Sequence, residues 1–235
     1  MDKHKTLLAS LILAAGIFFG GLSIGNALTD FRNSDRCVSV RGLAEREVNA
    51  DNVIWPLVYK ETGNNLNAIY DNIKTKNGII TSFLKKEGIA DEEIFISAPE
   101  IIDLEAERYQ SNTPGYRYNV TSVITVSSGK VDLVRELMTR QVELLRKGVA
   151  ITGGDYRYNA EFSFNGLNSI KPEMIEEATK NAREAAEKFA MDSDSKLGKI
   201  KNASQGLFSI YDRDSNTPYI KKVRVVTSVN YFLED

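Results

Sequence analysis

Side chains suited to chemistry are few in this chain, and their spacing serves it poorly. The single histidine, His4, lies inside an apolar N-terminal leader, so the rest of the chain has no histidine base or metal ligand. The single cysteine, Cys37, excludes an intrachain disulfide and a cysteine-built zinc site. It reads as a small residue at a strand start, with an intermolecular disulfide or a reactive thiol as the alternative. Carboxylates remain. Asp192 with Asp194, and Asp212 with Asp214 and Asn216, alternate as in a calcium loop, but the turn glycine and the closing glutamate are missing from both. Both read as solvated turns. Glu100, Asp103, Glu105 and Glu107 crowd one stretch without a nucleophile or base to complete a site. Gly153 and Gly154 lack the spacing of a phosphate loop. No catalytic residue, metal-ligand set or cofactor site is nominated, and the chain reads as a non-enzyme.

The elements that would position any site are easier to read. Residues 170–190 carry Met174, Ala178, Ala182, Ala185 and Phe189 at steps of four and three, widened by Ile175, Ala186 and Ala190. Pro172 suits the first helical position, and Glu173, Glu176 and Glu177 suit the positive end of the dipole. So much alanine predicts a helix lying very close to a sheet. Residues 38–48 alternate with a period of two, and Val53, Trp55, Leu57 and Tyr59 share a face, predicting a hairpin with an edge or bulge at Pro56. A helix is expected from Asn64 to Gly88 and a second over 130–147 with Val134, Leu137, Met138, Val142 and Leu145 inward. Between them, strand character over 94–104 and 116–126 predicts a second hairpin, its tip crowded by Tyr109, Tyr116 and Tyr118. Residues 156–164 alternate strictly, and strands are expected near 198–210 and 220–232. The order predicts an α+β fold, an antiparallel sheet with helices packed on one face.

Of 235 residues, 42% are hydrophobic and the net charge is −2, enough for a core and too balanced for nucleic acid as a main partner. Lys221, Lys222 and Arg224 form the one basic cluster, read as a solvated strand edge. Lys3 and Lys5 precede an apolar run from Leu7 to Ile24, so residues 1–28 read as a signal peptide cleaved near Ala27 or as a retained membrane anchor spanning 7–28. Either way the bulk of the chain lies across the membrane, in the periplasm or cell envelope.

The alanines at 178, 182, 185 and 190, followed by Leu197, Gly198, Lys199 and Ile200, resemble the C-terminal signature of the SIMPL domain family. Val38 to Gly42 with Glu45, Val48 and Asp51 resemble its opening strand pair, although Ala50 stands where the family often has proline. Tyr118, Val120, Val123, Thr125 and Val126 resemble its central strand, and Val223 to Tyr231 its closing one. The resemblance covers residues 37–233. It implies a periplasmic or membrane-tethered α+β domain, tied in some relatives to oxidative-stress defence and in some to homo-oligomers.

Two functions follow. One is a non-enzymatic envelope protein acting by self-assembly or protein interaction, with Trp55, Tyr109, Tyr116 and Tyr118 as the possible surface; core and cross-strand packing are the alternatives for these four. The other is a ligand-binding module with a pocket between sheet and helices, walled by Trp55 and the tyrosines.

Overall fold

The alternation in the first strand is realised in full. Along β1 (Cys37–Asn49) the residues Val40, Gly42 and Ala44 are buried and their neighbours are exposed. The computed structural model describes residues 11, 13–25, 36–106, 115–153 and 156–234. Residues 13–25 are helical, and among the described residues no helix is long and apolar enough to cross a membrane. Ala27 and most of the leader's flanks lie outside the described residues.

The chain forms two compact units, one of them Glu47–Leu167 with Ile210–Lys222. In this second unit β2 (Asn52–Gly63) pairs antiparallel with β5 (Tyr118–Ser128) over eleven positions, from Val53↔Ser128 to Gly63↔Tyr118. Two short strands, β3 (Ile94–Ile96) and β4 (Glu100–Asp103), line the far side of β5, and β6 (Glu161–Ser163) pairs with the start of β2. One face is packed by α1 (Leu66–Lys86), α2 (Val131–Arg140) and α3 (Val142–Arg146). The cap of α1 is Asn65, one residue after the expected start at Asn64, and it accepts the N–H groups of Asn67 and Ala68; Gly88, the expected stop, has φ +98°. Pro56 sits past the end of β6, where β2 has a free edge.

In the first unit β9 (Ile220–Glu234) is central, between β1 and β7 (Lys196–Gln205), and β8 (Ser209–Asp212) also pairs with β9. Against this sheet lies α4 (Leu167–Asp192), its buried row Met174, Ala178, Ala182, Ala186 and Ala190 advancing in steps of four. The alanine-rich face is as close to the sheet as its composition demands. A Cβ built on Gly42 would lie 1.8 Å from the Ala178 carbonyl oxygen. The α+β class with antiparallel sheets and helices on a face is therefore observed.

Several details differ from the sequence reading. Strands β1 and β2 do not form a hairpin; they enter different sheets. The helix α4 begins at Leu167, so Pro172 lies inside it. The earlier start is supported from far away: the Asp51 carboxylate accepts the N–H groups of Asn165 at 2.8 Å and Gly166 at 2.8 Å. Phe189 is exposed because the strict four-residue row turns it outward. The 130–147 helix breaks at Gln141, which leaves Val142 and Leu145 exposed and brings Leu144 inside. Only 161–163 of the alternating 156–164 run is strand; Tyr156–Tyr158 is a 3-10 turn with Tyr156 exposed. Two residues beyond Ile54, Pro56 has no N–H with which to continue that ladder. Lys221, Lys222 and Arg224 lie on a central strand: Lys221 is 7% exposed and ion-paired with Asp212, while Arg224 faces Glu45 at 3.5 Å.

Two substitutions check this description. Gly42→Ala should lower stability by about 3 kcal/mol, since backbone must move to admit the methyl group; the urea midpoint reads it. Asp51→Ala should lower it by about 1 kcal/mol through lost capping of α4. An unchanged midpoint for either contradicts the corresponding contact.

Candidate functional site

Alternation along β4 and β3 turns Ile101 and Ile96 to the same sheet face as their cross-strand partners Val120 and Ile124, which are buried. Ile96 and Ile101 are nevertheless each 54% exposed. Helix α1 packs over β2 and β5, so the strip formed by β3 and β4 has no helix above it. The result is a half-open apolar groove of about 720 Å³, floored by Ile69, Ile73, Ile96, Ile101 and Val120. Volumes of this size hold small organic ligands.

The α1 wall brings Tyr70, Lys74, Asn77, Gly78, Thr81 and Lys85 to the groove. Buried Tyr59 steadies this wall: its hydroxyl lies 2.8 Å from Asn77 Oδ1 and 3.1 Å from the Ile73 carbonyl oxygen. The Ser122 hydroxyl also donates to Asn77 Oδ1, at 3.4 Å. Burial pushes the Tyr59 phenol above its ordinary pKa, the Ser122 hydrogen bond works against this, and Glu61 adds to it. Lys85 is ion-paired with Asp91, whereas Lys74 has no carboxylate partner among the described residues. Thr81 Oγ1 is buried without a hydrogen-bond partner.

The residues nominated from sequence lie elsewhere. Trp55 is 5% exposed within the core. Tyr118 is half-buried against that core with the Arg117 guanidinium 5.1 Å from its ring centre, Tyr116 is exposed, and Tyr109 lies outside the described residues. None of the described three lines the groove. Its own residues escaped the sequence reading, although Gly78 in mid-helix and the isoleucines of β3 and β4 were available signals.

The carboxylates are engaged in structure. Arg117 binds Asp103 through Nη2 at 2.8 Å and holds its carboxyl below the usual range, while Glu105 lies 3.3 Å from Arg117 Nε and Glu107 is outside the described residues. Asp214 accepts from the Thr217 hydroxyl, then from Arg213 and the N–H groups of Asn216 and Thr217, which together hold it at about 2. That is the geometry of a solvated turn. No grouping of three or more histidine, cysteine or acidic residues fit for a metal occurs among the described residues.

The SIMPL family, described as a protein of unknown function (DUF541), matches residues 38–229. The chain belongs to the SIMPL family. No curated protein matches it. For this SIMPL chain the matched span takes in the central strand, the alanine helix and the closing strand as far as Val229. It assigns no activity.

Glu93 borders the strip and yields a pH prediction. Its carboxylate accepts from the Ser128 hydroxyl at 2.6 Å, from the Ala90 N–H at 2.8 Å and from Lys130 at 3.0 Å, which lowers its pKa, Ser128 contributing most. A folded-state pKa below the unfolded one means stabilisation that is complete above about pH 5 and is lost as pH falls through the folded value. Glu93→Gln should therefore cost about 1 kcal/mol at pH 7, with the gap to wild type narrowing as pH falls below the ordinary glutamate range. A gap independent of pH rejects this account.

Proposed function

We propose that this SIMPL protein is a non-enzymatic component of the cell envelope that works by binding, through the groove between α1 and the β3–β4 strip. The observation that carries the reading is the half-open apolar groove, with Ile96 and Ile101 left exposed on a sheet face that is otherwise covered. Placement in the envelope is supported by the sequence, in which Lys3 and Lys5 precede the apolar run to Ile24. The non-enzymatic part is supported by a histidine confined to the leader and by carboxylates held in ion pairs and turns.

Self-assembly or protein interaction is the second reading, supported by the other unit. There β7 is an edge strand exposed along nearly its whole length, and Leu207 beyond it is 95% exposed. A role in envelope or oxidative-stress defence would fit either reading.

The neutral apolar dye N-phenyl-1-naphthylamine tests the groove. The full chain should enhance its fluorescence and gain a few degrees in Tm at saturation. Ile101→Asp should abolish both effects. No enhancement with wild type rejects the groove as a binding site. Light scattering of the full chain tests the second reading: a defined multimer supports it, and a monomer removes it.

A further inference from the structure

Three features of the groove go beyond an apolar surface awaiting cover. Among the described residues its lining contains two lysines and no aspartate or glutamate, although acidic residues outnumber basic ones in the chain. Lys85 is neutralised by Asp91, which leaves the exposed Lys74 ammonium as a positive charge without a counter-charge among the described residues. Second, Gly78 stands in the middle of α1, where a Cβ would meet nothing within 4 Å. No packing inside the protein demands glycine there, and glycine is a poor helix former. Its effect is to open the groove wall one turn beyond Lys74 and let another molecule approach the helix backbone. Third, Thr81 lines the same wall one turn further on, with its Oγ1 turned away from solvent and unpartnered.

Together these features describe an amphiphilic slot: an apolar floor, a lysine without a carboxylate partner among the described residues, and a small-residue gap in the helix wall. Strand addition along its outer wall is disfavoured because Pro99 interrupts the edge between β3 and β4. We infer that the groove binds a single-chain anionic amphiphile, a long-chain carboxylate whose alkyl tail lies on Ile69, Ile73, Ile96 and Ile101 and whose head group pairs with Lys74. The inference rests on the proposed binding role of the groove. Lys74 sets the preference for charge, and Gly78 sets the space.

Photolabelling tests it. The full chain, kept free of alkyl detergent, is exposed to a diazirine analogue of dodecanoate, and labelled peptides are mapped by mass spectrometry. Labels should fall within residues 66–85 and 96–101. Dodecanoate should compete at least about tenfold better than dodecanol, the scale expected of a charge-assisted head-group contact. Lys74→Met should bring the two competitors to within about threefold of each other while labelling persists. Gly78→Leu should suppress labelling with circular dichroism unchanged, and Gly78→Ala provides a milder step should the leucine unfold the chain. Equal competition by dodecanoate and dodecanol in wild type overturns the anionic class and leaves the apolar groove standing. Labelling outside these peptides, or unaffected by both Gly78 variants, overturns the groove as a binding site as well.

Discussion

Asn77 is the point at which the second unit determines where its groove lies. The side-chain oxygen is approached from below by the Tyr59 hydroxyl of β2 and the Ser122 hydroxyl of β5, paired neighbours in the eleven-residue ladder. This fastens α1 over those two strands. Tyr59 also reaches the Ile73 carbonyl one turn earlier, so the helix is held at two levels. A helix about 10 Å across centred between β2 and β5 reaches little beyond β5, and β3 and β4 lie one strand spacing further out. The groove is the geometric remainder of that placement. Leaving Ile96 and Ile101 about half exposed forgoes on the order of 1 kcal/mol of burial at each.

Glycine serves opposite ends in the two units. At Gly42 the absence of a side chain brings two backbones together, and the alanine row of α4 completes a contact that larger residues would prevent. At Gly78 the same absence meets open space. The first is explained wholly by packing inside the chain; the second is not. Had Gly78 been needed for helix approach, a Cβ there would meet a neighbour as it does at Gly42.

Elements set by local chemistry were legible in the sequence. The first helix could be read to within a residue because Asn64 and Gly88 mark its ends within the chain segment itself, and the α+β class followed from the order of periods. Features set at a distance were hidden. The start of α4 depends on Asp51, more than a hundred residues earlier, and so Pro172 misled. Alternation along 37–59 is the same whether β1 and β2 pair with each other or each enters a separate sheet. The alternation from Tyr156 to Phe164 yields strand only over Glu161–Ser163, because a ladder needs a donor on its partner as well as a pattern, and Pro56 supplies none. The groove was least legible of all. It is defined by what fails to cover β3 and β4, and no single segment records that.

Local rules are broken together at one place. A mid-helix glycine without a neighbour, a lysine with no carboxylate partner among the described residues and two half-exposed isoleucines each carry a small cost or an unused capacity. Scattered over the surface they would be unremarkable. They converge on one groove wall and its floor. Departures from local consistency that gather in this way mark the part of a sequence shaped by something other than folding. The tyrosine tip makes the contrast clear: Tyr118 packs on the core beneath Arg117, and Arg117 is itself fixed by Asp103 and by its backbone N–H to Asn64. That aromatic cluster satisfies its own chain. The groove does not: among the described residues Lys74 has no carboxylate partner, and Ile96 and Ile101 stay half exposed.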